Sequence, residues 1–131
     1  MLFVMHHGAG SSGLSFAACT GELRRILPKA GMLSLDARGH GSTTTTSLNG
    51  QPVECDLHLD SLRRDLVLVI DKVREKMGWE SLPDIVLVGH SLGGSVVTDV
   101  AKRADLGSKL LAYAVLDVVE GECYVPLMSF H

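Results

Sequence analysis

The sequence has no excess of charge of one sign and no long hydrophobic run. Its 131 residues include 12 lysines and arginines against 15 aspartates and glutamates, a formal net charge of −3. Nucleic acid is therefore not an expected partner, because no basic stripe is present to neutralise phosphates. The longest apolar runs, such as 66–70 and 85–88, are much shorter than the roughly 20 residues that span a bilayer. We expect a globular protein that has neither nucleic acid nor membrane as a partner.

Cysteine is scarce, and its arrangement excludes two common uses. Cys19, Cys55 and Cys123 are odd in number and widely spaced, and they form neither a CxxC pair nor a zinc pattern. No charged segment followed by an apolar segment opens the chain, so secretion is not indicated. Reduced cysteines are thus expected, in a cytoplasmic or nuclear protein. The length of 1–131 fits one domain.

Short apolar segments alternate with longer segments of helical periodicity. The segments form a strand–helix series, with strands predicted at Leu2–Met5, Gly31–Leu35, Ile85–Val88 and Leu110–Leu116 and helices at Phe16–Leu27, from Leu59 to about Gly78, and at Leu92–Ala104. Such alternation implies right-handed crossovers and a parallel sheet covered by helices on both faces. The predicted fold class is therefore α/β.

Polar and glycine-rich segments follow the predicted strands. "HHGAG" comes after the first, "DARGHG" after the second, "GHSLGG" after the third and Asp117 after the fourth. Ligands in parallel sheets bind beyond the carboxyl ends of the strands. The sequence therefore predicts one functional edge.

Ser91 lies in a Gly-x-Ser-x-Gly pattern between a strand and a helix. In that context the pattern predicts a nucleophile elbow, a strained turn that lifts the serine above the sheet edge. Gly89 and Gly93 would leave room where a Cβ atom would collide. The N–H of Leu92 would point to the place where an oxyanion forms. The alternative is a tight strand-to-helix turn that has no catalytic role.

The "HHGAG" segment offers a second oxyanion donor. Its small residues let the backbone approach an ester carbonyl, so the N–H of Ala9, or of its neighbour Gly10, could lie beside that of Leu92. His7 is expected to orient this loop by hydrogen bonds. A glycine-rich connection with no catalytic role is the alternative.

Asp117 is the candidate acid, because an aspartate at this edge could orient an imidazole and stabilise its charge. The alternative is a strand-end aspartate that caps the next segment. Asp36 also ends a strand, and it is expected to fix the "DARGHG" turn through a salt bridge with Arg38.

No histidine is well placed as the general base. In this architecture the base follows the serine and the acid, whereas His6, His7, His40 and His58 precede Ser91, His90 lies inside the elbow, and His131 is the last residue. The triad is thus incomplete. We expect the chain to be truncated, through a partial gene model or as a fragment, which would explain the missing base. The alternative is a domain that has lost its catalytic activity.

With these motifs placed, the chain resembles the α/β-hydrolase superfamily and, more narrowly, the protein phosphatase methylesterases. The likeness rests on "HGAGSSGLSF", "LDARGHGST", "LVGHSLGG" and "LDVVEG", which supplies the acid at the position that this family uses. It covers essentially the whole chain, but only the first half to two-thirds of a family member. The resemblance thus implies an incomplete α/β-hydrolase domain over 1–131.

The resemblance also implies roles and a reaction. Ser91 would be the nucleophile, Asp117 the acid, and Ala9 and Leu92 the oxyanion donors. The catalytic histidine, the cap and the last strands would lie beyond residue 131. The reaction would be demethylation of the C-terminal leucine methyl ester of the type-2A protein phosphatase catalytic subunit, with no metal or organic cofactor required.

Two other functions remain open: a generic carboxylesterase or thioesterase, and a non-catalytic binding module. The family's strand order places the first and third strands side by side and leaves the second and fourth as edges. Unpaired edges invite association, so we expect the isolated chain to aggregate or to fold loosely.

Overall fold

A computed structural model describes residues 1–51, 53–117 and the backbone of 128–130. Strands and helices alternate along most of it, as β1 (Leu2–His6), α1 (Ala17–Ile26), β2 (Gly31–Ser34), α2 (Leu59–Met77), β3 (Ile85–His90), α3 (Leu92–Lys102), β4 (Leu110–Leu116) and β5 (Met128–Phe130). Two short 3₁₀ turns, Gly13–Phe16 and Gly107–Lys109, precede α1 and β4. The predicted alternation is confirmed. The first and third strands extend further than predicted, to His6 and His90.

The strands form one sheet in the order β2-β1-β3-β4-β5. The first four are parallel, with Val4 of β1 between Leu33 of β2 and Leu87 of β3. The predicted pairing of the first and third strands is therefore confirmed. The prediction that the fourth strand is an edge is wrong, because β5 pairs antiparallel with residues 112–114. A partner that comes back from later in the chain leaves no signal in the pattern of β4 itself.

Alternate residues of β1 serve two separate cores. Leu2 and Val4 belong to the larger core, which is formed mainly by the sheet, α2 and α3. Phe3 and Met5 belong to a smaller core on the other face, under the 3₁₀ turn and α1. This is the alternation expected of a strand buried on both faces. The coverage is unequal, because α1 buries none of its residues completely.

Helix α2 is fixed by apolar and charged contacts. Leu62, Leu66 and Ile70 repeat every four residues and are almost completely buried. On its side, Arg63 forms ion pairs with the carboxylates of Asp99 in α3 and Asp105 beyond it. The helix ends at Met77 and is capped by Gly78, which has a φ of 72°, the left-handed conformation that glycine favours. Among the described residues, none of the helices combines the length and the apolar character that a membrane crossing needs.

Candidate active site

Ser91 forms the junction between β3 and α3. Its φ of 53° and ψ of −115° are outside the regions that L-residues favour. Its N–H donates to the carbonyl oxygen of Leu116 over 3.2 Å, and its carbonyl accepts the N–H of Gly94 over 2.8 Å. The strained conformation is thus held by β4 on one side and by the first turn of α3 on the other.

The glycines of this turn are required by lack of space. A Cβ atom at Gly89 would lie closer than 3.0 Å to the carbonyl oxygen of Gly93. A Cβ atom at Gly93 would come equally close to the carbonyl oxygen of His6 in β1. Gly94, which the sequence pattern did not single out, meets the side chain of Val115 in the same way. The elbow therefore depends on close backbone packing of α3 against the sheet.

The loop after β1 lies directly against the elbow. A Cβ atom at Gly8 would be 3.1 Å from the Cβ atom of Ser91 and 3.1 Å from Nδ1 of His90. The carbonyl of Gly8 accepts the N–H of Ser11 over 3.2 Å. Gly8 is buried, whereas the next residue, Ala9, is exposed. The loop thus brings an accessible backbone segment close to the serine.

The conformation of this loop is set by two histidines. The buried His7 places Nδ1 2.7 Å from the carbonyl oxygen of Gly8, and its Nε2 accepts the N–H of Ala37 over 2.9 Å. Nε2 of His40 accepts the N–H of Gly10 over 3.0 Å. In both rings Nδ1 carries the proton, because Nε2 has to accept. The expected loop-orienting role of His7 is confirmed; that of His40 was not foreseen.

These bonds distinguish the two candidate oxyanion donors of the loop. The N–H of Gly10 is donated to His40. The N–H of Ala9 has no acceptor in the part of the chain that the structure describes. Leu92, at the first position of α3, has an N–H that precedes the first intrahelical bonds. Of the two candidates in the loop, the N–H of Ala9 is thus the one that stays available in the described part of the chain, as does that of Leu92 at the start of α3.

Asp36 fixes the next loop by a different contact from the one predicted. Its carboxylate accepts the N–H of Gly13 over 2.7 Å and that of Ser42 over 3.0 Å. Arg38 does not pair with it, but makes a two-point ion pair with Asp65 of α2, at 2.6 and 2.7 Å. The predicted Asp36–Arg38 salt bridge is wrong, because a neighbour in space offers Arg38 a better geometry than a neighbour in sequence.

The two backbone bonds lower the pKa of Asp36, that of Ser42 contributing most and that of Gly13 next. The ionised form is therefore bound better in the folded state. Its stabilising effect is complete above the ordinary value of 3.8 and is lost as the pH falls through the lowered folded pKa. Asp36→Asn should thus lower the thermal midpoint at pH 7 by a few degrees and flatten its decline below pH 4. Melting curves at a series of pH values measure this.

Glu22→Gln is the control for this substitution, because Glu22 forms only an exposed ion pair with Arg25 on α1. Its midpoint should follow that of the unsubstituted protein at every pH. Equal pH slopes for Asp36→Asn and Glu22→Gln would contradict the role given to Asp36.

Asp117 lies at the same edge of the sheet as Ser91. It follows β4 immediately, has a φ of 50°, and its side chain is 86% exposed. Its Oδ2 atom is 3.4 Å from Nε2 of His90, a long contact. The hydrogen bond from Ser91 N–H to Leu116 connects the elbow to the residue before the aspartate. The structure thus brings Ser91, the "HHGAG" loop and Asp117 together.

The general base has no candidate in the described part of the chain. There, no imidazole forms a hydrogen bond with Oγ of Ser91, and His131 lies outside the described residues. In the same part, no group of three histidine, cysteine or acidic side chains is placed to hold a metal ion. Cys19 and Cys55 are free thiols, and Cys123 lies outside the described residues.

The family model for the alpha/beta hydrolase family matches residues 3–127. The chain therefore belongs to the α/β hydrolase family, and the partial α/β-hydrolase fold that the sequence predicted is confirmed.

Within this family the chain is similar to fungal proteins named protein phosphatase methylesterase 1, which confirms the narrower resemblance. The protein of Aspergillus oryzae is 67% identical over 129 residues, covering 98% of this chain and 30% of the relative. That of Aspergillus fumigatus is 65% identical over 128 residues, with the same coverage. That of Saccharomyces cerevisiae is 38% identical over 125 residues, covering 91% of this chain and 30% of the relative. The chain spans about 30% of the length of these relatives, so the prediction that it covers half to two-thirds of a family member is wrong.

Solved structures show the same fold at low sequence identity. An extracellular α/β-hydrolase from a Paenibacillus species superposes with a TM-score of 0.64 at 21% identity, covering 92% of this chain and 42% of that one. The type II thioesterase BorB from the borrelidin biosynthetic cluster superposes with a TM-score of 0.56 at 21% identity, covering 89% of this chain and 40% of that one. At this identity the likeness establishes the fold only.

Proposed function

We propose that the chain is the nucleophile-bearing part of a serine esterase, a protein phosphatase methylesterase. The observation that carries the proposal is the geometry of Ser91, held at a φ of 53° at the strand–helix junction against the Gly8–Ala9 segment. The identity of 67% to a relative named as a methylesterase supports the choice of ester. Since the chain spans 30% of that relative, we also propose that residues 1–131 are an incomplete domain.

In this proposal Ser91 Oγ attacks the carbonyl carbon of the ester. The negative charge that develops on the carbonyl oxygen is stabilised by the N–H groups of Ala9 and Leu92. A histidine from the remainder of the full-length protein takes the proton of the serine, and Asp117 orients and stabilises it. That histidine then protonates the leaving methoxide, and methanol departs. Water hydrolyses the acyl-enzyme and releases the carboxylate, so these steps require only side chains and backbone dipoles.

The proposed substrate is the C-terminal leucine methyl ester of the type-2A protein phosphatase catalytic subunit. This subunit is thus the proposed partner. The full-length protein should demethylate this subunit with a higher kcat/KM than it shows on a short-chain aryl ester. Methanol release and the loss of the methyl mark measure the first reaction, and absorbance measures the second. A preference for the aryl ester, with the phosphatase left methylated, would instead favour a generic carboxylesterase or thioesterase.

A non-catalytic binding module is the competing function, because none of the described imidazoles reaches the serine. A fluorophosphonate probe separates the two, since it reacts covalently with an activated serine. The full-length protein should be labelled at Ser91, and labelling should be lost in Ser91→Ala. Absence of labelling in a protein that melts cooperatively would favour the binding module.

A further inference from the structure

His40 connects the loops that follow β1 and β2. Its Nε2 accepts the N–H of Gly10 over 3.0 Å, and its Nδ1 donates to the carbonyl oxygen of Arg38 over 2.9 Å. Gly10 has a φ of 78°, so this bond holds a turn whose conformation glycine favours. The imidazole thus uses one nitrogen for each loop.

Two successive peptide planes meet at Ala9, and different hydrogen bonds hold each of them. The N–H of Ala9 shares a peptide plane with the carbonyl of Gly8, and in a trans peptide the two point in opposite directions. That carbonyl is fixed by Nδ1 of His7 and by the N–H of Ser11. The next peptide plane contains the carbonyl of Ala9 and the N–H of Gly10.

Only His40 holds this second plane through its N–H, within the described part of the chain. Rotation of the plane would exchange the directions of the Gly10 N–H and the Ala9 carbonyl. Such a rotation changes the ψ of Ala9 and the φ of Gly10, and with them the turn that carries the N–H of Ala9. The bond to His40 prevents this, because it would be lost on rotation.

His40 is itself supported from two sides. Its ring lies against that of the buried His7, with 5.1 Å between the ring centroids. The residue that supplies its acceptor, Arg38, is anchored to Asp65 of α2 by two hydrogen bonds. The acceptor nitrogen is therefore presented to the loop from a fixed position in the fold.

We propose that His40 is a positioning residue for ester hydrolysis: by accepting the N–H of Gly10, it holds the peptide plane that follows Ala9 and so maintains the turn that presents the N–H of Ala9 to the oxyanion. This inference rests on the proposed function, in which Ser91 is the nucleophile and Ala9 an oxyanion donor. His40 transfers no proton and touches no substrate.

Two amide variants of the full-length protein separate this role from a structural one. In His40→Gln the amide oxygen can occupy the position of Nε2 and still accept from Gly10. In His40→Asn the amide can reach only the position of Nδ1, so it can donate to Arg38 but leaves Gly10 without its acceptor. The two variants differ little in polarity and each loses one of the two contacts.

Removal of one oxyanion donor costs about 100- to 1,000-fold in kcat, and a misdirected donor should cost less. We expect His40→Asn to lower kcat about 10- to 100-fold on both the methylated phosphatase and the aryl ester, with KM changed less than about threefold. His40→Gln should remain within about threefold of the unsubstituted protein. The rate of fluorophosphonate labelling at Ser91 should follow the same order, and thermal midpoints provide the stability comparison.

The outcomes distinguish this inference from the proposed function. If the unsubstituted protein cleaves an ester but the two variants have equal kcat, or if kcat merely follows the thermal midpoint, the positioning role is overturned. If only the aryl ester is cleaved and the variants differ as expected, the role of His40 is supported and the phosphatase substrate is rejected. If the unsubstituted protein neither cleaves an ester nor reacts with the probe, both are overturned.

Discussion

Ser91→Ala in the full-length protein is expected to reduce ester hydrolysis by at least about 10⁴-fold, because no other hydroxyl occupies the elbow. The covalent route is closed once Oγ is removed, and only stabilisation by the oxyanion donors is left. The thermal midpoint should change little, since alanine meets the same backbone strain at this position as serine. The release of methanol and the labelling by a fluorophosphonate measure the loss.

Ser95→Ala is the matched control for this variant. Ser95 lies in α3, four residues after Ser91, and its backbone N–H bonds to the carbonyl oxygen of Ser91. Alanine keeps that backbone bond and removes a hydroxyl from the same helix. Activity within about twofold of the unsubstituted protein is expected. Substantial hydrolysis by Ser91→Ala would reject Ser91 as the nucleophile.

Gly93→Ala is expected to destabilise the protein by several kcal/mol, enough to prevent folding in a marginally stable chain. The added Cβ atom would lie closer than 3.0 Å to the carbonyl oxygen of His6, which belongs to the interior strand β1. Neither the backbone of β1 nor the start of α3 can move away without breaking the sheet or the elbow. Soluble yield and denaturant unfolding measure this effect.

Gly21→Ala provides the contrast, because a Cβ atom at Gly21 has nothing within 4 Å and the residue lies inside α1. Alanine there should stabilise the protein by about 0.5–1 kcal/mol, since it favours the helix over the unfolded chain. The same chemical change therefore has opposite effects at the two sites. Similar unfolding midpoints for Gly93→Ala and the unsubstituted protein would show that the elbow is less crowded than the structure indicates.

The sequence predicted the features that depend on local order. The periodic burial of α2 and the apolar strands are local patterns, and the strand-end rule placed Ser91 and Asp117 at one edge. The partners of individual polar groups could not be predicted in this way. Asp65 is 27 residues from Arg38 and Gly10 is 30 from His40, so those contacts exist only once the helix and the loops are packed. The prediction that the fourth strand is an edge was wrong for the same reason, because its pairing with β5 also depends on how separate segments of the chain pack.

The hydrogen bond between Ser91 and Leu116 has a consequence for how the site can evolve. It connects the backbone of the proposed nucleophile to the strand that ends beside the proposed acid, so the spacing of the two is determined by neighbouring strands of the sheet. Insertions elsewhere in the protein could reshape what it recognises without changing that spacing. A scaffold of this kind permits new substrates to be acquired while the chemistry stays the same.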